Sequence, residues 1–204
     1  MMVELLAAPE THPRQEAVLE AAVGVFARYG FRKTSMDEVA RAAGVSRQGL
    51  YLLFADKEAL FRRAVTYKLS RQLQMAIAEL AKEHQPLEER LISASDEWAG
   101  RYVGTLGADI ADLMCASTSL AATTLAHYEA YFEAALAAAI AASPLAIYCR
   151  AAGLAPENVA KALHATARGL KHGSKTRQEF LLGMTAAARM FCAPLGHPQG
   201  PTDE

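Results

Sequence analysis

Long hydrophobic runs are missing from this 204-residue sequence. Its two longest uncharged stretches, residues 113–128 and 134–149, are interrupted by Ser, Thr or Pro. Neither approaches the roughly 18–20 consecutive apolar residues that a membrane-spanning helix needs. The first residues, Met1-Met2-Val3-Glu4, lack the positive segment that opens a signal peptide. The sequence therefore predicts a cytoplasmic protein with no membrane partner.

Cysteine is scarce and scattered. The chain has three cysteines, Cys115, Cys149 and Cys192, and no C-x-x-C pair. This excludes a disulfide scaffold and a recognisable zinc motif, and it is typical of a reducing compartment. The sequence also lacks the glycine-rich phosphate loops, the nucleophile elbow and the H-E-x-x-H pattern of common enzyme and cofactor sites. We therefore expect no metal, no cofactor and no enzymatic activity.

Isoleucine and valine are few, whereas alanine makes up about a fifth of the chain. Alanine is the best helix former and β-branched residues favour strands, so this bias predicts an all-α protein. Hydrophobic residues make up 52% of the sequence and charged residues 21%. That composition is sufficient for a sizeable core.

Charge is nearly balanced in total but not along the chain. The net charge is −1, yet the segment from Arg28 to Arg71 carries ten Lys/Arg against four Asp/Glu, which leaves a net −7 for the rest. A basic segment on an acidic protein is typical of a face that binds a polyanion. A solvated charged surface would have the same composition, so charge alone leaves both interpretations open.

Helix start and stop signals follow each other closely after the first helix. Ser35 and Glu38 form a capping box, Gly44 ends the short helix that follows, and Ser46 is the next candidate N-cap. Asp56 can cap a third, long helix. Two short helices joined by a glycine-containing turn indicate a helix-turn-helix.

The second short helix is predicted to present Arg47, Gln48 and Tyr51 outward near its N-terminal end. In a helix-turn-helix, this part of the recognition helix reaches base edges in the major groove. Arginine pairs with guanine and glutamine with adenine through two hydrogen bonds each. Gly49 would let the backbone approach closely. We therefore predict that this helix binds double-stranded DNA.

Residues 26–61 closely resemble the DNA-binding domain of the tetracycline-repressor (TetR) family of transcriptional regulators. Three groups of residues fall at family spacing: Gly30-Phe31…Thr34-Ser35, Val39-Ala40…Ala43-Gly44-Val45-Ser46 and Leu50-Tyr51…Phe54…Lys57-Glu58…Leu60. The resemblance implies phosphate contacts by Thr34 or Ser35, by Tyr51 and by Lys57. It also implies base reading by Arg47, Gln48 and Gly49. Leu53 departs from the pattern, in which histidine is common at that position.

Periodicity predicts a long helix from Lys57 to about Glu83, followed by helices near 87–103, 106–122, 124–142, 156–172 and 176–192. We predict a helix-turn-helix domain over 10–61, a larger helical domain over 62–194 and a frayed tail over 195–204. In the TetR family the second domain binds an inducer and dimerises. The resemblance therefore implies a small apolar or amphipathic effector and a homodimer.

The last two helices each carry an apolar stripe, and two such helices doubled by a two-fold axis would form a four-helix interface. The alternative is that both stripes pack on the chain's own core. The candidate interface residues are Val159, Leu163, Leu170, Phe180, Met184, Ala187 and Phe191.

The middle helices carry aromatic and sulfur-containing side chains of the kind that line an adaptable apolar cavity. Such residues also form ordinary cores, and both interpretations stay open. The candidate pocket residues are Trp98, Tyr102, Met114, Cys115, His127 and Tyr131.

Together these features predict a sequence-specific DNA-binding regulator that acts as a homodimer on a palindromic operator and is a ligand-responsive repressor. One alternative is a DNA-organising protein of the same fold, controlled by a protein partner. Another is a helical ligand carrier or enzyme whose helix-turn-helix is vestigial.

Overall fold

The computed structural model describes residues 13–103 and 119–193. No strand occurs in these ranges, so the predicted all-α class is confirmed. The described helices are α1 (Pro13–Lys33), α2 (Met36–Ala42), α3 (Arg47–Leu53), α4 (Lys57–Leu80), α5 (Leu87–Trp98), α6 (Ser119–Ala141), α7 (Leu145–Ala151), α8 (Pro156–Gly173) and α9 (Arg177–Cys192). A short 3-10 turn, Gly100–Tyr102, follows α5.

The described residues fall into two compact units. The first comprises those of Met1–Gln72 and Thr105–Tyr128, and the second those of Leu73–Gly104 and Glu129–Glu204. The division on the N-terminal side falls inside α4, after Gln72, about three helical turns beyond the predicted domain boundary at residue 61. The predicted boundary separates a DNA-binding domain from a ligand-binding domain. The two compact units do not test those roles, so the boundary stays a prediction.

Glycine and capping residues set the helix ends of the first unit. The course of α1 breaks at Gly30, whose φ of 76° and ψ of 160° are non-helical. Ser35 caps α2 through a complete capping box with Glu38. At the end of α2, Gly44 takes a φ of 66°, a left-handed conformation that glycine adopts without a steric penalty. The predicted start and stop signals are therefore confirmed in this segment.

Three phenylalanines join the helices of the first unit. The ring centroid of Phe26 lies 6.0 Å from that of Phe31 and 5.0 Å from that of Phe61. The rings of Phe31 and Phe61 are 4.9 Å apart. Such offset and edge-on pairs add to the energy of apolar burial. Leu50 is fully buried and anchors α3, while α2 packs against both α1 and α3.

The second unit is built around α9, which packs against α5, α8 and the 3-10 turn. The rings of Trp98 and Phe132 stack at 5.0 Å. Gly100 sits where a Cβ would lie 2.5 Å from the Phe180 ring, and Gly183 where one would lie 2.4 Å from Leu170. Both glycines therefore allow a close approach between neighbouring segments. The largest fully buried side chains of this unit are Leu91, Phe132, Leu136, Ile140, Leu163, Phe180 and Met184.

Several helix boundaries differ from the prediction. α5 ends at Trp98, not near residue 103, because Ala99 has non-helical φ and ψ angles of −131° and −45°. α6 begins at Ser119, although a start at 124 was predicted. The threonines at 123 and 124 are weak helix formers, but the penalty is below about 0.7 kcal/mol each and does not end a helix. The helix predicted over 106–122 lies mostly outside the described residues.

The sequence analysis missed α7 altogether. This helix has seven residues and follows Pro144 directly, so it is too short to show a convincing 3.6-residue period. The Ser143 hydroxyl accepts a hydrogen bond from the Leu145 N–H at 3.2 Å, which supports its first turn.

Among the described helices, none has by itself the length and hydropathy of a membrane span. One pair, Thr123–Ala141 with Leu145–Ala151, passes that test together, but it is bent by 93°.

Candidate nucleic-acid interface

The turn between α2 and α3 holds the two helices in a fixed register. The Val45 N–H donates to the Ala40 carbonyl at 3.0 Å, and the Gly44 N–H donates to the Arg41 carbonyl at 3.3 Å. These two bonds satisfy carbonyls that the end of α2 would otherwise leave open. Ser46 then caps α3, accepting from the Gly49 N–H at 3.0 Å. The predicted helix-turn-helix is therefore present in the structure.

Arg47 is the first residue of α3, and its side chain contacts Asp37 in the first turn of α2. Its Nη1 donates to Oδ2 of Asp37 at 3.1 Å, and its Nε lies 3.1 Å from Oδ1 of the same carboxylate. Its guanidinium also lies 5.7 Å from the centroid of the Tyr51 ring. The side chains of Arg47 and Asp37 are 65% and 50% exposed. This arrangement leaves a cationic group at the surface in a partly defined position.

Gln48, Gly49 and Tyr51 share the exposed side of α3 with Arg47. Gln48 is exposed and Tyr51 is 42% exposed. At Gly49 a Cβ would lie 3.1 Å from the capping hydroxyl of Ser46. The absence of a side chain at Gly49 therefore leaves room for this hydroxyl. Leu53, which departs from the family pattern, is 39% exposed. The helix is anchored by Leu50 and by Phe54 beyond its end.

Thr34 and Ser35, the implied phosphate contacts before α2, lie in different environments. Thr34 is buried, with 2% exposure, and its hydroxyl donates to the Gly30 carbonyl at 2.8 Å. Ser35 is exposed, but both its N–H and its hydroxyl donate to the Glu38 carboxylate, at 2.7 and 2.9 Å. The hydrogen bond from the Ser35 backbone, followed by that from its hydroxyl, lowers the pKa of Glu38. Of the two residues, only Ser35 has an accessible side chain.

Lys57 opens α4 and makes internal contacts that the sequence did not reveal. Its Nζ donates to the carbonyls of Phe31 and Thr34, both at 3.1 Å. The same ammonium lies 4.5 Å from the centroid of the Phe31 ring. Lysine has three N–H donors, so these contacts use two of them. The ammonium thus ties the segment after α1 to the start of α4.

Asp37 was not among the residues predicted from the sequence to form this surface. No periodic signal links two residues ten positions apart across a turn, because their proximity depends on the angle between the two helices. The one available hint was the presence of an acidic side chain within a basic segment.

The predicted pocket residues that the structure describes differ in their exposure. Trp98 is buried, Tyr102 is half-buried, Tyr131 is 38% exposed and His127 is exposed. Met114 and Cys115 lie outside the described residues. Trp98 stacks on Phe132, and Phe132 in turn meets the ring of His164 edge-on at 5.5 Å. Within the second unit, the aromatic cluster is therefore Trp98, Phe132 and His164.

Several polar side chains of the second unit are buried. His164 is 3% exposed, and its Nδ1 lies 2.8 Å from Oε1 of Glu133. Its Nε2 and the hydroxyl of Ser95 are both buried and have no hydrogen-bond partner among the described residues. Asp96, also buried, forms an ion pair with Arg177. Buried polar atoms without a partner are rare in folded proteins, so this region has unsatisfied hydrogen-bonding capacity.

The predicted interface stripes face inward for the most part. Leu163, Phe180 and Met184 have no exposed surface at all, and Val159 is 8% exposed. Leu170, Ala187 and Phe191 are half-buried. Side chains that are fully enclosed in one protomer cannot also lie between two copies. The exposed side of α9 carries other apolar residues, namely Leu182 at 66% and Met190 at 77% exposure.

No group of three or more His, Cys, Asp or Glu side chains that could hold a metal lies within residues 13–103 and 119–193. Cys149 and Cys192 are free, buried thiols. Burial and the nearby Glu88 raise the pKa of Cys192 to about 11, so this thiol stays protonated at neutral pH.

Comparison with known proteins points to one group. Residues 18–64 match the model of the family described as "Bacterial regulatory proteins, tetR family". The chain is 39% identical over 84 residues to the uncharacterized HTH-type transcriptional regulator YfiR of Bacillus subtilis. That alignment covers 41% of this chain and 40% of the relative. The chain thus matches less than half the length of this curated relative.

Solved structures resemble a much larger part of the chain. A TetR-family transcriptional regulator from Mesorhizobium loti superposes with a TM-score of 0.69 at 20% identity, covering 91% of this chain and 98% of that one. The regulator FadR from Bacillus subtilis, solved in complex with stearoyl-CoA, superposes with a TM-score of 0.65 at 16% identity, covering 86% and 96%. At these identities the likeness concerns the fold.

Proposed function

The chain belongs to the TetR family of bacterial regulatory proteins, and on this basis we propose that it is a transcriptional regulator that binds double-stranded DNA sequence-specifically. The observation that carries this proposal is the surface of α3. Arg47, Gln48 and Tyr51 are exposed on its first two turns, while buried Leu50 holds the helix against the rest of the unit. A rigid helix with polar side chains at its N-terminal end fits the major groove.

The proposed contacts divide into two classes. Arg47 and Gln48 read base edges, while Tyr51, Ser35 and Lys57 contact phosphates and set the position of the helix. Gly49 allows the backbone of α3 to lie close to the DNA. Thr34 supports the segment before α2 from inside the unit, since its hydroxyl is already bonded to Gly30.

The test compares DNA-binding variants on two duplexes. The preferred duplex is selected from a random 30-base-pair pool with the unaltered protein, and a scrambled duplex of the same composition serves as random DNA. Arg47→Ala and Gln48→Ala should each weaken binding to the selected duplex by about 1–3 kcal/mol, with a much smaller loss on the scrambled one. Arg150→Ala is the matched control, because Arg150 is an exposed arginine on α7.

Each rival interpretation gives a different result in the same assay. A DNA-organising protein would select no preferred sequence, and its variants would lose affinity for both duplexes alike. A ligand carrier or enzyme with a vestigial helix-turn-helix would bind neither duplex. Equal losses on both duplexes by Arg47→Ala and Gln48→Ala, in a protein that does select a sequence, would mean that the reading residues are wrongly assigned.

We further propose that the regulator is a homodimer whose two α3 helices read the two halves of a palindromic operator. A two-fold dimer with one recognition helix per subunit matches the symmetry of such a site. The proposed interface is the exposed side of α8 and α9, which carries small and apolar side chains: Ala162, Ala165, Gly169, Leu182, Ala186 and Met190. Small residues let two helices approach closely.

We propose that a small apolar or amphipathic effector binds the second unit and that its binding releases the protein from DNA. The protein would then be a repressor that acts in the bacterial cytoplasm. The neighbouring FadR structure holds stearoyl-CoA, an amphipathic molecule. In this chain, the aromatic cluster offers apolar contact, and the buried Nε2 of His164, which has no partner among the described residues, offers a hydrogen bond. Trp98 is the single tryptophan of the chain, so a fluorescence titration with acyl-CoA thioesters measures binding in this region. The binding of effector and the binding of DNA are thermodynamically linked. A bound effector must therefore lower the affinity for DNA by the same factor by which bound DNA lowers the affinity for the effector.

A further inference from the structure

The carboxylate of Asp37 lies on the proposed DNA-reading surface, in direct contact with a proposed reading residue. It accepts a hydrogen bond from Nη1 of Arg47 at 3.1 Å. Both side chains are at least half exposed, so burial does not account for the pair. A negative charge at this place repels DNA phosphates, yet it lies next to the group proposed to read bases.

The contact uses only part of the hydrogen-bonding capacity of Arg47. A guanidinium has five N–H donors. Asp37 accepts one of the two from Nη1, and its other oxygen lies 3.1 Å from Nε. Nη2 makes no hydrogen bond within the described residues. Guanine needs two donors, for O6 and N7, and Nη2 together with the second N–H of Nη1 can supply both. Arg47 can therefore meet a base without leaving Asp37.

A contact with a DNA phosphate requires a different position of the Arg47 side chain. On random DNA an arginine gains most by swinging toward the nearest phosphate, which would require Arg47 to leave Asp37. The Tyr51 ring, 5.7 Å from the guanidinium, further restricts where the side chain can go. The ion pair therefore favours the base-reading arrangement over the phosphate-binding one.

We propose that Asp37 is a specificity-determining positioning residue, which holds Arg47 ready for a base and away from phosphates. The proposal rests on the proposed DNA-reading function of α3. Exposed ion pairs are weak, so each Asp37 shifts the preference of its Arg47 by about two- to fivefold. A dimer with two such pairs gains about four- to 25-fold in the ratio of affinities for selected and random DNA.

The experiment measures that ratio for Asp37→Asn, which removes the charge and keeps the shape. Affinities are taken by fluorescence anisotropy on the selected and scrambled duplexes, using the full chain. Asp37→Asn should bind the scrambled duplex more tightly than the unaltered protein does, and its specificity ratio should fall about four- to 25-fold. Asp37→Glu, which restores the carboxylate on a longer side chain, should recover part of the ratio. Far-UV circular dichroism checks that both variants are folded.

Glu58→Gln is the matched control for charge. Glu58 is an exposed acid in the first turn of α4, and in the described part of the chain the hydrogen bond and ion pair of Arg47 go to Asp37 and not to Glu58. Removing its charge should raise the affinity for both duplexes by the same factor and leave the ratio unchanged. The double variant Asp37→Asn/Arg47→Ala tests whether Asp37 acts through Arg47. If it does, its ratio equals that of Arg47→Ala alone, because the two changes are not additive.

Three results would overturn the proposal. An unchanged ratio in folded Asp37→Asn would mean that the carboxylate contributes only general charge. A further fall in the double variant, below Arg47→Ala, would mean that Asp37 acts without Arg47. Failure of the unaltered protein to select any sequence would refute the proposed sequence-specific function, on which the role of Asp37 depends. This outcome is seen in the selection step, before any variant is made, so it is distinct from the other two.

Discussion

Lys57 is the residue for which the structure makes the most demanding prediction, because one ammonium is assigned both an internal and an external role. Internally, its Nζ donates to two backbone carbonyls at 3.1 Å and faces the Phe31 ring at 4.5 Å. Externally, its third N–H remains available to a phosphate. Lys57→Met removes the charge and all three donors and retains a long apolar stem.

The expected loss of stability follows from the internal contacts. Hydrogen bonds to a charged group contribute about 1.5–3 kcal/mol in net terms. Because Lys57 is only half-buried, water can replace it at both carbonyls, and we expect the two bonds together to contribute about 1.5 kcal/mol, the lower end of the range for a single bond. For a chain of this length each kcal/mol shifts the midpoint of thermal unfolding by about 2–4 °C. Lys57→Met should therefore unfold about 3–6 °C lower.

The phosphate contact is measured separately, at a temperature where the variant is folded. Each phosphate neutralised by a lysine contributes about 0.9 to the slope of log affinity against log salt. A dimer that loses two lysine contacts should therefore lose about 2 from this slope, equally on selected and scrambled DNA. Lys175→Met, at an exposed lysine before α9, is the control and should change neither quantity.

The two roles can be refuted independently. A normal unfolding midpoint for Lys57→Met would show that the carbonyl contacts contribute nothing. A lowered midpoint with an unchanged salt slope would show that the ammonium serves the fold alone, and the phosphate contact implied by the family resemblance would then be wrong.

Three further predictions concern packing and the proposed dimer interface. Gly100→Ala would place a methyl group within 2.5 Å of a core aromatic ring, so it should destabilise the fold by about 1–3 kcal/mol in chemical denaturation. Gly24→Ala, at an exposed position inside α1 with nothing within 4 Å, should instead stabilise it by about 0.5–1 kcal/mol. Leu182→Glu and Met190→Glu should give folded monomers in sedimentation velocity, because both side chains are exposed in the protomer. Persistent dimers in both variants would place the interface elsewhere.

The helix-turn-helix could be predicted from the sequence because its signals are local. The capping box of Ser35 and Glu38 and the positive φ of Gly44 involve residues within a few positions of each other. Their effect depends on backbone geometry that neighbouring residues determine by themselves. The exposed side of α3 follows from the same logic, since the burial of Leu50 orients the whole short helix.

The long-range contacts at this surface had no such signal. The pair of Asp37 and Arg47 depends on the angle at which α2 meets α3. The bonds from Lys57 to Phe31 and Thr34 join residues 26 and 23 positions apart. Sequence periodicity orients a side chain around its own helix, but it does not say which side chain of another helix comes within 3 Å.

The stripes of α8 and α9 show the same limit in the second unit. The sequence places Leu163, Phe180 and Met184 on apolar helix faces, because a 3.6-residue period defines a face. The coverage of those faces by the chain's own core, and the exposure of Leu182 and Met190, follow from long-range packing. A hydrophobic face gains the same free energy whether its own protomer or a second copy buries it, so the pattern carries no information about the partner.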